Sequence, residues 1–508
     1  MRKTSVHAAT GLALLLLVRL GGAALAIELN AAFNSINSPD IEAYIDVLAD
    51  DTFEGREAGS RGGRAAGVYL AEQFQQRGLK PAGDRGAYFQ EFDGVYRNIL
   101  GVIDGSDPSL RRQFVLVGAH YDHVGYGTRK NSLGPIGYIH NGADDNASGV
   151  AGLLEVVEAF KALGEPPKRS VLFALWDGEE KALLGSKHWT NHPTVPIGNV
   201  VCAFNVDMIG RMRDRRVEIY GTRTARGLRQ LISRQNQATD LVLDFKWDIK
   251  ANSDHHSFYT KAVPFLMIHT GLHKDFHRPT DDPDKINFEG TEQVTKLLFL
   301  LALELANRPE VSVFRDRCRH EAAANLTQLE RALPARPPRL GVWWESRSGE
   351  RSGLYLSRVL PDSPAERAGL RVGDRLVRFG GRLVEDEDSL RKDVLAAQPS
   401  TTMVVERADG ESSELPVELA GEPLRLGISW REDEAEPGTL ILSQVVSGSA
   451  AHLAGLRVAD RIYAIEGREI RDGSEFLRLL PELPGAFELE IERRGQLKTV
   501  TVDPPPAE

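Results

Sequence analysis

The chain has 508 residues, more than one domain usually holds, and length alone suggests about three. Apolar residues make up 42% and charged residues 26%, a globular profile that excludes the disordered and fibrous classes. A net charge of −10 speaks against a nucleic-acid partner, which needs a basic face. Two short basic runs, RMRDRR (211–216) and RDRCRH (315–320), lack interleaved aromatics and read as solvated surface.

The N-terminus begins with a basic pair, Arg2 and Lys3, followed by an apolar stretch from Ala8 to Val18. Ala24-Leu25-Ala26 then supplies a small-x-small cleavage site, so residues 1–26 read as a signal peptide. The apolar run falls short of the about 20 residues a span requires, and Arg19 interrupts it. The expectation is export to the periplasm or beyond, with no stable membrane span. Cys202 and Cys318 are the only cysteines. One reads as lying on a buried strand and the other on an exposed helix, so neither a disulfide nor a thiolate metal site is expected.

Residues 39–307 read as one α/β domain, alternating apolar strands with amphipathic helices. FVLVGAH (114–120), SVLFALW (170–176) and VVCAFNVD (200–207) are near-continuous apolar runs, as expected for strands covered on both faces. Between the first two, Val150, Leu153, Leu154, Val157 and Phe160 recur at helical spacing, and Gly164 closes that helix. A second buried helix starts near Glu289 and includes FLLALELA (299–306). A charged helix-like stretch (313–333) and the proline-rich PARPP (334–338) make 308–338 a linker. Beyond it the sequence repeats. RLGVWW (339–344) returns as RLGISW (425–430), and PDSPAERAGLRVGDRL (361–376) as SGSAAHLAGLRVADRI (447–462), at a constant offset of 86 residues. Two copies of one small β-rich domain, 339–420 and 424–504, follow from that repeat.

The chemistry gathers at strand ends, where open α/β sheets bind their ligands. The first strand ends in His120 and Asp122, the second runs into Asp177-Gly178-Glu179-Glu180, and the third ends at Asp207. The loop GADDNASG (142–149) adds Asp144 and Asp145, and FHRPTDDPDKIN (276–287) adds His277. Imidazole and carboxylate without thiolate suit a catalytic zinc site. Two histidines and three carboxylates exceed the needs of one ion and match two, with one carboxylate shared. A second carboxylate beside a ligand, as in Glu179-Glu180, can act as general base. Asp122 is placed to fix the His120 imidazole through its other nitrogen, while His123 reads as a neighbour of the site.

At AHYDHVG, GADDNASG, LWDGEEKALLGS, NVDMIGR and FHRPTDD, over about residues 40–307, the chain resembles metallopeptidase family 28, the di-zinc aminopeptidases. FEGREAGSRGGRAAGVYLAEQFQQRGLKPAG (53–83) is similar to that family's N-terminal segment. The resemblance implies a three-layer zinc-peptidase domain with a central mixed sheet and two zinc ions. His120 and Asp207 would hold one ion, Glu180 and His277 the other, with Asp145 bridging and Glu179 as base. It also implies that SDHHSF (253–258) lines the substrate side through Asp254 and His255. Some relatives carry a tyrosine immediately before the last histidine. Here Phe276 stands there, leaving Tyr259 or the metal alone to hold the substrate carbonyl.

The repeated modules resemble bacterial PDZ domains of exported proteases. That resemblance implies that Leu340-Gly341 and Leu426-Gly427 present backbone amides to a peptide C-terminus, with the peptide added as a strand. In the second copy Ala459 replaces Gly373, a destabilising exchange if the turn needs positive φ. The sequence therefore reads as an exported zinc exopeptidase, an aminopeptidase by resemblance, acting on peptides or proteins. The rivals are a single-zinc glutaminyl cyclase-like enzyme and a non-catalytic peptide-binding scaffold.

Overall fold

A computed structural model describes residues 23–345, 353–483 and 485–505. The chain divides into two compact units, the first running to Ala323 and the second starting at Ala324.

The first unit is built on a nine-stranded sheet. Its strands are β1 (Lys80–Pro81), β2 (Phe89–Phe92), β3 (Tyr96–Ile103), β4 (Phe114–His120), β5 (Ser170–Trp176), β6 (Val200–Val206), β7 (Arg216–Tyr220), β8 (Val242–Lys246) and β9 (Phe265–His269). The order is β1-β3-β5-β4-β6-β9-β7-β8, with β2 beside β3. The central strands β5, β4, β6 and β9 run parallel, while β3 and β7 join them antiparallel. The mixed sheet expected from the sequence is present.

Alternation along the strands explains why they read as unbroken apolar runs. Val115, Val117 and Ala119 of β4, with Val171, Phe173 and Leu175 of β5, enter the larger core cluster. Leu116, Leu172, Ala174 and Trp176 enter a second cluster on the opposite face. Helices α1 (Ala23–Ser35), α2 (Ser38–Leu48), α3 (Arg61–Gln76), α4 (Gly149–Ala162), α6 (Leu228–Gln235) and α8 (Phe288–Asn307) contribute to the first cluster. Trp189 of α5 (Leu184–Asn191) and Phe258 of α7 (His255–Thr260) fill the second. Helices thus cover both faces, giving three layers.

Three local expectations need correction. Ala32, Phe33 and Ile36 lie in the core, so the unit begins before residue 39, and Ala24–Ala26 falls inside α1. The charged and apolar parts of the expected signal, residues 1–22, lie outside the described residues. The stretch 313–333 forms no continuous helix but a 3-10 turn (Asp316–His320), a short helix (Ala323–Leu326) and another 3-10 turn (Thr327–Glu330). Tertiary pairing overrides its helical composition there: Glu321 accepts from both Arg223 and Arg315, and Cys318 is buried. Arg211 also departs from a solvated reading, since it pairs with Asp275 at 3.0 Å with only 10% of its side chain exposed. Among the described residues, no helix is long and apolar enough to cross a membrane.

The second unit holds the two repeated domains. The first copy contains β10 (Val342–Glu345), β11 (Leu354–Val359), β12 (Arg375–Phe379), β13 (Arg382–Leu383), β14 (Ser400–Glu406) and β15 (Ser412–Glu418). The second contains β16 (Ile428–Arg431), β17 (Leu440–Val445), β18 (Arg461–Ile465), β19 (Arg468–Glu469), β20 (Phe487–Arg493) and β21 (Gln496–Val502). Their orders, β10-β11-β12-β14-β15 and β16-β17-β18-β20-β21, are the same. Even the register shift recurs, between Trp343 and Trp344 and between Ser429 and Trp430. Helices α9 (Glu387–Ala396) and α10 (Gly473–Leu479) occupy equivalent places.

The exchanged turn residue does need the left-handed region: Gly373 has φ +93° and Ala459 φ +73°. Relieving that strain with Ala459→Gly should stabilise the second copy by about 1 kcal/mol. Calorimetry of the full chain should show its transition rise by a few degrees, and fall in the first copy for Gly373→Ala. Unchanged transitions in both variants would contradict the strain.

Candidate metal centre

Strand order places the site. The chain passes from β4 to its neighbour β5, then crosses to β6 on the other side of β4, which opens a crevice at the carboxyl end of β4. His120 ends β4, Glu179 and Glu180 follow β5, and Asp207 follows β6. Asp145 sits in the loop Ala143–Ser148 that feeds α4, and His277 follows β9.

Five of the expected donors gather into two groups that share Asp145: His120 with Asp145 and Asp207, and His277 with Asp145 and Glu180, the second group joined by His123. His120 Nε2 is 3.4 Å from Asp145 Oδ1 and 3.4 Å from Asp207 Oδ1. His277 Nε2 is 3.2 Å from Asp145 Oδ2 and 3.2 Å from Glu180 Oε2. Asp145 therefore turns one oxygen to each group. For ligands about 2.0–2.1 Å from a tetrahedral zinc, neighbouring donor atoms stand about 3.3–3.4 Å apart. The four separations, 3.4 Å around His120 and 3.2 Å around His277, lie at or close to that spacing, so the residues fit a pair of cations.

Buried hydrogen bonds fix each donor. His120 Nδ1 is 3.1 Å from the Asp122 carbonyl oxygen, and His277 Nδ1 is 2.8 Å from the Asn131 carbonyl oxygen, the carbonyl anchoring usual for ligating imidazoles. The expected role of the Asp122 side chain needs correction. Its carboxylate lies 3.8 Å from His120 Nδ1 and instead accepts from the Glu179 and Glu180 backbone amides at 3.0 and 3.4 Å. It thus holds the turn that carries both glutamates, while its backbone carbonyl orients the imidazole. Asp207 Oδ2 accepts from the Ser253 hydroxyl at 2.6 Å. Asp144, the alternative to Asp145 in the loop, accepts through Oδ1 from the Ser148 hydroxyl and the Gly210 amide, and its Oδ2 faces His273 at 3.1 Å.

Two supporting residues, Asp281 and Arg56, were not singled out by the sequence, and a third, His123, was read there only as a neighbour. Asp281 accepts from the Asp144 and Asp145 backbone amides at 3.0 and 3.1 Å. Arg56, fully buried, donates to the carbonyls of Leu48, Tyr121, Asn141 and Gly142. His123 faces Glu180 at 2.9 Å. Asp281 stands four residues beyond His277 and Arg56 lies within FEGREAGS. Motif position was the only signal for either.

The electrostatics express a shortage of positive charge. Burial would lower the histidines, yet the surrounding carboxylates overcome it. Glu179 and Asp207 hold His120 well above its ordinary value, and Asp145 and Glu180 raise His277 to about 10. Burial alone would raise Glu180, but hydrogen bonds from His123 and His277 keep it below the usual carboxylate range. Glu179, half-buried, is pushed well above that range by loss of solvent and by Glu180, against the pull of His120. Cations in the site would draw it back down.

The remaining expected residues divide. Phe276 stacks on His277 with ring centroids 3.9 Å apart. Asp254 is wholly buried at the start of α7, its carboxyl raised to about 6 by loss of solvent. His255 turns Nε2 to the Lys250 carbonyl at 2.9 Å, and burial lowers it to about 4. The Tyr259 ring packs among Phe265, Phe314 and Arg319, so the structure gives it neighbours other than the donor cluster.

In the repeats, Leu340 and Leu426 are core side chains, so only backbone is offered at these positions. Gly341 and Gly427 have φ +84° and +76°, and a Cβ on either would come within 2.4 or 2.3 Å of the Ser363 or Ser449 Cβ. The two grooves differ. Beside β10 and α9 of the first copy lies a cavity of about 850 Å³, lined by Val342, Trp344, Arg391 and Leu395 but also by the linker at Leu333 and Arg336 and by Gln444 and Val445 of β17 in the second copy. In the second, Trp430 packs edge-on against Phe476 at 5.5 Å, and Glu432 accepts from the Gly473 amide at 3.2 Å. Those contacts join β16 to α10 across the equivalent groove.

Fold and site together define an α/β domain with a carboxylate-shared pair of donor groups at its strand ends. The family model of peptidase family M28 matches residues 98–302, and that of the PDZ domain matches 355–407 and 441–493. The first unit thus carries a match to peptidase family M28 over residues 98–302, followed by two PDZ matches. A probable periplasmic serine endoprotease DegP-like from Marinomonas sp. is 28% identical over 171 residues, covering 28% of this chain and 35% of that protein. A probable leucine aminopeptidase from Arthroderma otae is 26% identical over 274 residues, covering 51% of this chain and 70% of that protein. The LapA aminopeptidase structure from Legionella pneumophila aligns with TM-score 0.48 and 20% identity over 61% of this chain and 79% of that one. The chain spans 35% of the length of the first curated relatives it matches.

Ligating histidines must be neutral, whereas His277 in the metal-free cluster holds its proton to about 10. Cation binding near pH 7 should therefore release protons, and affinity should rise with pH toward that value. Calorimetric titration of chelator-stripped protein in buffers of different ionisation heat measures this. Binding with no proton release would contradict it.

Proposed function

We propose that the first unit is a metal-dependent exopeptidase, an aminopeptidase, with two zinc ions as its cofactor. The observation that carries this reading is the placement of Asp145, one oxygen toward His120 and Asp207 and the other toward His277 and Glu180. A single-zinc centre would leave one of the two donor groups, each spaced to fit an ion, without its cation. When bound, paired divalent cations supply Lewis acidity to the scissile carbonyl and acidify the attacking water.

The chain's own residues complete the chemistry. Glu179 takes a proton from the attacking water and delivers it to the leaving amine, and its half-buried carboxylate beside His120 suits that exchange. The Asp122 carboxylate holds Glu179 and Glu180 in place through their backbone amides. Phe276, stacked on His277, offers an apolar wall to the substrate, while Asp254 and His255, both buried, act as support rather than as lining. Peptides or proteins are the substrates. The first PDZ domain accepts an extended peptide terminus along β10, beside the cavity it shares with the linker and β17, whereas Trp430 and Phe476 bridge the equivalent groove of the second. The basic, apolar and small-residue pattern of residues 1–26 supports export.

Glu179→Ala should lower turnover of an aminoacyl anilide by about 10²–10⁴-fold while bound metal stays unchanged. Peptides with a free amino terminus should be cut and N-acetylated ones spared. Unchanged turnover in the variant, or cleavage confined to N-acetylated peptides, would contradict the assignment.

A further inference from the structure

His123 is the member of the second donor group that neither the motif nor the paired-cation reading uses. Its ring is buried, with Nδ1 2.9 Å from Glu180 Oε1. The other Glu180 oxygen, Oε2, is the one 3.2 Å from His277 Nε2. The glutamate is thus divided, one oxygen toward the shared group and one toward His123.

The environment of the far ring nitrogen decides what His123 does. His120 and His277 each anchor theirs on a backbone carbonyl, at 3.1 and 2.8 Å, leaving the inner nitrogen free to bind a cation. His123 Nε2 is buried with no hydrogen-bond partner. A ligating Nδ1 would force the ring proton onto Nε2, a donor with nowhere to go. The tautomer with the proton on Nδ1 gives it to Glu180 Oε1 instead. The Asp145 Oδ2 atom, 3.8 Å from Nδ1, is beyond hydrogen-bond reach, so Glu180 is the one acceptor.

The ring is also fixed in direction. A Cβ on Gly142, whose φ is +58°, would meet His123 Cδ2 at 2.5 Å and Cγ at 2.6 Å, so only glycine leaves room for the imidazole. The His123 amide donates to the Arg56 carbonyl at 3.2 Å, and its ring lies edge-on to His277 at 5.5 Å. We propose that His123 is a positioning residue: by donating Nδ1–H to Glu180 Oε1 it keeps that glutamate a single-oxygen ligand through Oε2. This rests on the paired-cation reading above.

The test compares wild type with His123→Phe, which keeps a flat ring against Gly142 without a donor, and His123→Gln, which restores an N–H donor. Chelator-stripped full chains are titrated with Co²⁺, following d–d absorbance against a competing chelator, and their metal-free melting temperatures are recorded. Expected are two cations in wild type and, for His123→Phe, one cation weakened by about 10- to 100-fold with the other unchanged. His123→Gln should recover to within a few-fold, with no loss of melting temperature in either variant. Two cations bound as tightly by His123→Phe as by wild type would overturn the proposal. Complete loss of one cation in both variants would mark His123 as a direct ligand and overturn it as well. Equal weakening in both variants with lowered melting temperatures would reduce the residue to packing. A wild type that takes a single cation would overturn the paired-cation reading itself, and this role with it.

Discussion

The first unit is organised around one buried carboxylate used from both sides. Asp145 is 3% exposed, and each oxygen faces a different histidine. With Glu180, Asp207 and Glu179 close by, the pocket concentrates negative charge where water cannot disperse it. Such a cluster is tolerable only if positive charge enters. In the metal-free chain the histidines supply it by holding protons above their ordinary range, and in the proposed working form two divalent cations do so. The supporting bonds serve that demand. Asp281 grips the amides of Asp144 and Asp145, Asn146 accepts from the Gly149 and Met208 amides, and Arg56 ties down four carbonyls around the same loops.

Much of this was legible because strand ends are positions that periodicity locates. His120, Glu180 and Asp207 each follow an apolar run buried on both faces, and the order of β5, β4 and β6 brings those ends together. Spacing could not say which group of a residue acts. Asp122 was expected to orient His120 with its carboxylate, yet its carbonyl does so, and the carboxylate reaches the glutamate turn 57 residues away. His123 carried no periodic signal, since the strand has ended at His120 and no alternation rule sets the direction of its ring. The segment 313–333 misled for a related reason. Its charges suggested a helix face, but they pair across the chain to Arg223 and pin an irregular path.

The repeated domains show how far identity of pattern extends. A constant offset of 86 residues correctly implied the same strand order, even to a matching bulge. It did not imply equal grooves. Leu390 in the first copy becomes Phe476 in the second, and Glu387 becomes Gly473. The larger ring meets Trp430, and the bare glycine lets Trp430 and Glu432 approach the helix. In the first copy Trp344 lies under the Arg391 guanidinium instead, beside the cavity. Two side-chain exchanges thus let strand and helix meet across the second copy's groove within a common backbone plan.

The most direct measurement is anomalous diffraction from crystals grown with zinc. Two anomalous peaks about 3.5–4 Å apart are predicted, one beside His120 and Asp207 and the other beside His277 and Glu180, with the Asp145 carboxylate between them. A single peak, or a pair that leaves Asp145 unshared, would contradict the account.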